Sequence, residues 1–183
     1  MNKAKCNTAS KRKFINLPKS KQQSLRHEFA THFEALDTYY DTGELESVEW
    51  ISVTVFDHWL SLDEAILNLD KARDETRKAY DEKLYTFICL LTSQFEAFLV
   101  KKLGRYNEKL TFREFTSKEG RKSTLILSDY RCGERARFSF VIPSLGILYF
   151  EGSDFTHHIY FKDVNALETI RPLVDRCKLF LLC

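Results

Sequence analysis

Residues 137–162 decide the fold, and they read RFSFVIPSLGILYFEGSDFTHHIYFK. Apolar and polar residues alternate along much of this stretch, which is typical of β-strands. Residues 143–146 and 152–154 interrupt the alternation with Pro, Gly, Ser and Asp, which favour tight turns. Turns this short join only antiparallel neighbours. The stretch therefore predicts consecutive strands of an antiparallel sheet.

Outward from this stretch we predict four strands, at residues 123–130, 135–142, 147–151 and 155–162. Together they form a β-meander with one apolar face, which must be covered by another layer. The side chains assigned to that face are Leu125, Leu127, Phe138, Phe140, Ile142, Leu148, Phe150, Ile159 and Phe161. We place His157 on the same face, as a hydrogen-bonded structural imidazole, and predict that His158 points to the other face.

The first half of the chain has helical spacing instead. Residues 20–23 match a capping box, apolar residues then recur every three or four positions, and Gly43 is a plausible stop. A second capping box at 61–64 precedes a periodic pattern that continues to Leu103. One helix from 62 to 103 would be about 60 Å long, which exceeds a compact domain of this size. It therefore either breaks near residues 68–70 or projects onto a second subunit.

Two further segments complete the prediction. Residues 48–59 fit either a strand or a helix, and their β-branched side chains favour a strand. The chain ends in a helix that begins near Val164, with an apolar stripe at Leu167, Ile170, Val174, Cys177 and Leu181.

The sequence thus predicts an α+β protein. N-terminal helices, one of them long and central over residues 87–103, pack on a four-stranded antiparallel β-meander that a C-terminal helix closes. Residues 1–17 are predicted to be a flexible basic arm, and 18–183 a single domain. Within that domain, 18–110 form the helical half, and 120–183 form the sheet with the C-terminal helix.

The cysteines and the apolar segments bear on location. Five scattered cysteines without a C-x-x-C pair indicate reduced thiols rather than a disulfide framework or a zinc site. We find no signal-peptide pattern and no apolar stretch long enough to span a bilayer. The expected location is therefore cytoplasmic, with no membrane partner.

Charge is unevenly distributed, although the net charge is only +2. Residues 1–26 hold eight Lys or Arg and no acid, whereas residues 27–82 hold 15 acids and four bases. Such segregation concerns partners and electrostatic steering rather than the fold. Two interpretations stay open: the basic parts neutralise the acidic part in the folded protein, or they bind something else.

Motifs that carry catalysis are not found. The chain has no P-loop, no G-x-S-x-G and no dinucleotide fingerprint. His27 and His32 are five residues apart, which puts them on different faces of a helix and excludes a shared metal there. Cys132, between Arg131 and Arg135, is a candidate reactive thiol because positive neighbours lower a thiol pKa. We predict no metal and no cofactor, and binding rather than catalysis.

Two kinds of binding are then open. Surplus apolar surface, the apolar C-terminal residues and the segregated charge favour protein–protein contacts or self-association, with a homo-oligomer as the expected form. The alternative is a nucleic-acid-binding module that uses the basic arm and a sheet face of cations and aromatic rings. The side chains assigned to that exposed face are Tyr130, Arg135, Arg137, Tyr149, His158, Tyr160 and Lys162.

Overall fold

The structure is a computed structural model that describes residues 13–45, 48–103, 109–125 and 138–183. These residues form six α-helices and one antiparallel sheet of eight strands. The predicted α+β class and antiparallel pairing are confirmed. The prediction of a four-stranded meander is wrong, because three of its strands appear as β5, β6 and β7, and five further strands extend the sheet on both sides of them.

The strands, in chain order, are β1 (Phe14–Asn16), β2 (Trp50–Thr54), β3 (Phe98–Leu103), β4 (Lys109–Phe115), β5 (Ser139–Ile142), β6 (Ile147–Glu151), β7 (Thr156–Phe161) and β8 (Phe180–Leu182). Their order across the sheet is β1-β4-β3-β5-β6-β7-β2-β8. The helices are α1 (Lys19–Glu28), α2 (Ala30–Thr42), α3 (Leu62–Ala65), α4 (Asp74–Gln94), α5 (Lys118–Leu125) and α6 (Asn165–Arg176).

Helices cover the sheet on both faces, which we name the α4/α6 face and the α1/α2 face. Alternate strand residues such as Phe140 and Ile159 join one apolar core with α4 and α6. Their neighbours, such as Val141 and Tyr160, join a second core with α1 and α2. A sheet that is buried on both sides is apolar at most positions, and the polar residues among them need hydrogen-bond partners. Every residue of β6 is accordingly buried.

The register of the β5–β6 hairpin corrects the predicted apolar face. Ile142 pairs with Ile147 and Phe140 with Tyr149, so these side chains share the α4/α6 face. Leu148 and Phe150 consequently point to the α1/α2 face, opposite to the prediction. The 3₁₀ turn Pro143–Leu145 and Gly146 set this register, since a shift of one residue moves every side chain of a strand to the other face.

Four predicted segments differ from the structure. The predicted helix over 87–103 ends at Gln94, and Phe98–Leu103 is strand β3, paired with β4 and β5. Part of the predicted strand 123–130 belongs to helix α5, and the rest lies outside the described residues. Phe14–Asn16, assigned to the arm, pairs with β4 as an edge strand. The C-terminal helix ends at Arg176, so that Leu181 lies in β8.

Other predictions are confirmed. Residues 48–59 contain strand β2, and Gly43, with a positive φ of 80°, ends α2. The long helix breaks near the expected position, where the π-helical turn Ile66–Asp70 precedes the start of α4 at Asp74. Arg77 secures this break, because its guanidinium donates hydrogen bonds to the carbonyl oxygens of Leu69, Asp70 and Ala72.

Candidate functional site

The predicted exposed face of rings and cations is wrong for three of its residues, because Tyr149, His158 and Tyr160 are buried. Helices cover both faces of the sheet, so these side chains have no access to solvent. They also do not share a face: Tyr149 points to α4 and α6, and the other two point to α1 and α2. Lys162 is exposed, with its ammonium group 4.8 Å from the centre of the Phe29 ring. Tyr130, Arg135, Arg137 and Cys132 lie outside the described residues.

Tyr149 and His157 form a buried polar pair on the α4/α6 face. The Tyr149 hydroxyl lies 2.6 Å from His157 Nδ1, which confirms the predicted structural role of this imidazole. Burial lowers the pKa of His157 to about 3 and raises the pKa of Tyr149 well above its usual value. Both groups are therefore neutral at pH 7. Glu151, directly opposite His157 across the strands, is also buried, and its carboxylate accepts the backbone N–H of Phe138 at 3.2 Å.

His158 is held in the other layer by two hydroxyl groups. Its Nδ1 lies 2.9 Å from Ser52 Oγ, and its Nε2 lies 3.3 Å from the Tyr39 hydroxyl. Gly152 makes room for the ring, since a Cβ atom at this position would lie 2.4 Å from His158 Nε2. This arrangement ties the β6–β7 turn to α2 and β2.

A cavity of about 210 Å³ opens beside this imidazole, at one end of β2, β7 and β8. The register places Thr54, Thr156, His158 and Leu182 on the same face of the sheet, where they form its floor. The segment between β2 and α3 and the turn between β6 and β7 supply the remaining walls. These walls consist of Phe56, His58, Trp59, Leu60, Ala65, Leu69, Ser153 and Asp154.

His58, on the rim of the cavity, is held between two carboxylates. Its Nδ1 lies 2.6 Å from Asp57 Oδ1, and its Nε2 lies 3.0 Å from Glu64 Oε1. The hydrogen bond with Glu64, followed by that with Asp57, raises the pKa of His58. Hydrogen bonds from Ser61 are the main reason why the pKa of Glu64 falls to about 2. The rim is therefore a histidine flanked by two carboxylates, both of which favour its protonated form.

This rim does not pair a serine nucleophile with a histidine base. The Ser61 hydroxyl donates to Glu64 at 2.7 Å, and Glu64 lies between Ser61 and His58. A serine nucleophile instead needs its base within direct hydrogen-bond reach. Sequence reasoning predicted the capping box at 61–64, which the structure confirms, but it missed His58. The sequence did contain a sign of this contact, because the side chain of a capping Glu can also reach a histidine in the loop that precedes the helix.

Trp59 forms the outer wall of the cavity. Its ring is 50% exposed, and its indole N–H donates to the backbone oxygen of Cys183 at 2.8 Å. This bond joins the loop before α3 to the end of β8. A half-exposed tryptophan held by its polar edge presents a ring surface to anything that enters the cavity.

β8 is the last strand at this side of the sheet, and no described strand pairs with its outer edge. Residues 179–183 carry no charged side chain. Phe180 is 41% exposed, and Leu181 and Leu182 are half-buried. Proteins commonly protect such edges with charges or proline, and β8 has neither.

The opposite side of the sheet is strongly basic. We use the term basic half for residues 13–26, 98–103 and 109–125, which include β1, β3, β4, α1 and α5. It contains 11 Lys or Arg and two acids. The acidic segment 27–82 leads through α2, β2 and α3 to the other side, next to β8. The two charge blocks also meet, because Phe33 of α2 packs against Phe112 of β4, with ring centres 5.8 Å apart.

Comparison with protein-family models, curated proteins and solved structures finds no match. Within the described ranges, no three His, Cys, Asp or Glu residues are arranged to hold a metal ion. In the same ranges, no helix has both the length and the apolar composition needed to cross a membrane. Of the cysteines in this part of the chain, Cys89, Cys177 and Cys183 are free thiols.

Proposed function

We propose that this protein acts by binding, and that its first partner is a second copy of itself, joined through antiparallel pairing of the two β8 strands. One observation carries the proposal: the outer edge of β8 is uncharged, apolar, and unpaired with any described strand. An edge of this kind is a template for another strand, because its N–H and C=O groups can continue the ladder.

A second copy fits this edge by symmetry. In antiparallel pairing about a two-fold axis at Leu181, Phe180 of one copy lies opposite Leu182 of the other. Exposed apolar side chains of the two copies then cover each other across the axis. The backbone hydrogen bonds continue from one sheet into the other, and no charged side chain of β8 has to lose its water. Trp59 and Leu62, which are 50% and 78% exposed, add apolar surface nearby. Strands of three residues make a small interface, so we expect a dimer that dissociates on dilution.

Light scattering coupled to size-exclusion chromatography tests this proposal. Between about 5 and 500 µM, the mass should rise from 21.5 kDa toward twice that value. Phe180→Lys should remain monomeric throughout, because it places a charge in the middle of the interface. The matched control is Val164→Lys, the same change of charge at a 62% exposed site at the other end of α6. A wild-type protein that stays monomeric, or equal dimerisation of the two variants, would refute the proposal.

A second candidate function is nucleic-acid binding through the basic half. The observation that favours it is the excess of bases on one side of the sheet, most of them exposed: Lys13, Lys19, Lys21, Arg26, Lys101, Lys118 and Lys122. A patch that neutralises several phosphates gives binding that weakens steeply with salt. This proposal keeps the exposed bases and omits the predicted aromatic face, whose Tyr149, His158 and Tyr160 are buried.

Fluorescence anisotropy with a labelled single-stranded DNA and an RNA duplex tests it. We expect binding at about 50 mM salt that weakens at least tenfold at about 200 mM. At the lower salt concentration, the double variant Lys118→Glu with Lys122→Glu should bind more weakly than the wild type. The double variant Lys71→Glu with Lys78→Glu, the same charge change in the acidic segment, should bind like the wild type. Binding that is insensitive to salt, or equally weakened in both double variants, would contradict the basic half as the binding surface.

A further inference from the structure

The cavity beside His158 has room for a small molecule. Its volume of about 210 Å³ equals that of about seven liquid water molecules, or of a compound of roughly ten non-hydrogen atoms. Sites for small molecules are concave and mostly apolar, with a few polar groups that fix orientation. The cavity matches this description, because Phe56, Trp59, Leu69 and Leu182 supply apolar walls next to two threonine hydroxyls and an imidazole.

The apolar walls favour a ring. Trp59 offers a half-exposed aromatic surface whose position is fixed by its hydrogen bond to Cys183. The hydroxyls on the floor are already engaged, since Thr156 donates to Thr54 at 3.0 Å and Thr54 donates to the Phe155 carbonyl at 3.3 Å. A ligand therefore gains most from apolar contact inside the cavity, and its polar group is best placed at the rim.

The rim determines the charge of that polar group. Asp154 lines the cavity, and Asp57 and Glu64 both bind His58, so three carboxylates face one imidazole. None of the lining residues is Lys or Arg. This excess of negative charge attracts a cation and repels an anion. A cation near an aromatic face gains further from the ring of Trp59.

We propose that this cavity is a binding site for a small primary amine that carries an apolar ring, such as an arylalkylamine. The ring occupies the space between Trp59 and Leu182, and the ammonium group lies at the rim with Asp154. Leu182 and Trp59 belong both to this site and to the proposed β8 interface. Because binding is measured on dilute, monomeric protein, either proposal can still fail without the other.

The test uses three probes with the same ring and nearly the same length: phenethylamine, 2-phenylethanol and 3-phenylpropionate. The Trp50→Phe variant leaves Trp59 as the single tryptophan, since the chain has two. Its fluorescence and its indole N–H resonance then report on the cavity alone. We expect the amine to bind about threefold to fivefold more tightly than the alcohol, the range of an exposed ion pair. The carboxylate should bind most weakly.

Two pairs of variants test the location and the charge. Ala65→Phe fills the cavity and should abolish the response to the amine, whereas Leu62→Phe, on the same short helix but 78% exposed, should keep it. Asp154→Asn should bring the affinity for the amine toward that of the alcohol. This substitution preserves the backbone, because Asp154 has a φ of 56° and asparagine tolerates this conformation. Ser153→Ala is its neutral neighbour control.

The proposal is overturned if no probe perturbs Trp59 at about 20 mM, a concentration far above the dissociation constant of a specific site. It is also overturned if the amine and the carboxylate bind equally, or if Ala65→Phe and Leu62→Phe respond alike. Preference for the amine that is lost in Ala65→Phe and reduced in Asp154→Asn supports it. Each folded variant is verified by its circular dichroism spectrum before titration.

Discussion

Lys178 adopts a backbone conformation that most residues avoid, with a φ of 54°. It follows Cys177 at the end of α6, where the N–H of Lys178 bonds to the Asp175 carbonyl and the N–H of Leu179 to the Val174 carbonyl. These two bonds define a Schellman motif, in which glycine is the usual residue at this position. A lysine here carries steric strain of about 1–2 kcal/mol, because its Cβ crowds the backbone.

Lys178→Gly should therefore stabilise the protein by about 0.5–1 kcal/mol, once the greater flexibility of glycine in the unfolded chain is subtracted. Lys178→Ala is the matched control, since it removes the same charge and keeps the strain. Urea denaturation measures both. A gain in Lys178→Ala equal to that in Lys178→Gly would show that charge, not backbone strain, is responsible.

Gly152 and Gly43 are needed for different physical reasons. At Gly152 a Cβ would lie 2.4 Å from His158 Nε2 and 2.6 Å from the Thr156 carbonyl oxygen, whereas at Gly43 nothing lies within 4 Å and only the φ of 80° matters. We expect Gly152→Ala to cost about 2–3 kcal/mol, as overpacking does. Gly43→Ala should cost about 1 kcal/mol. If chemical denaturation shows that both variants lose the same free energy of unfolding, the close approach of residue 152 to His158 is not important for stability.

Among the elements, the capping box at the start of α3 was predicted and confirmed. Ser61 Oγ accepts the N–H of Glu64 at 3.4 Å, and the Glu64 carboxylate accepts the N–H of Ser61 at 2.8 Å. Ser61→Ala should cost about 1 kcal/mol in urea denaturation, while Ser61→Asp should retain most of the cap. Hydrogen exchange should show the loss at residues 62–65 first. Unchanged exchange there in Ser61→Ala would mean that packing alone holds this turn.

Local chemistry explains which elements were predictable. Several predictions that depend on a few neighbouring residues were correct: the capping box at 61–64, the stop at Gly43, the turns at 143–146 and 152–154, and the β-branched run of β2. The capping box predicted at 20–23 was wrong, because α1 begins at Lys19 after Pro18 and no side chain caps it. Phe98–Leu103 was misassigned because its first residues end the largely apolar run 87–100, and such a run fits a buried helix and a buried central strand equally well. Only its pairing with β4 and β5 decides between them, and β4 has no local signal that identifies its partner.

At the scale of the whole molecule, the same limit explains the candidate site. The sheet is covered on both faces, a property of layer packing that alternation within one strand does not reveal. Three residues of the predicted binding face, Tyr149, His158 and Tyr160, are therefore buried, and the two tyrosines belong to different cores. The cavity joins residues from positions 54 to 182, so no local motif could indicate it. The uneven distribution of charge was visible from the sequence, but the contact between the two charge blocks at Phe33 and Phe112 was not.

Two neutral histidines, one in each helical layer, make the stability of the whole molecule depend on pH. Burial lowers the pKa of His157 to about 3, and burial with the nearby Lys162 ammonium lowers the pKa of His32 to about 4. In the unfolded chain both groups titrate near pH 6.5. Below that pH the unfolded state binds more protons than the folded state, so acid favours unfolding. Stability should be full above about pH 6.5 and fall as pH decreases toward about 4, by up to roughly 1.4 kcal/mol per pH unit for each histidine.

Urea denaturation at intervals between pH 7 and pH 4 measures this slope. His157→Gln and His32→Gln each remove one titrating group, so each variant should have a shallower slope than the wild type, whatever its stability at pH 7. His27→Gln is the control, because His27 is exposed on α1 and its replacement should leave the slope unchanged. A slope that is the same in all four proteins would mean that the carboxylates, not the buried imidazoles, govern acid unfolding. A slope reduced only in His157→Gln would place the effect in the α4/α6 layer alone.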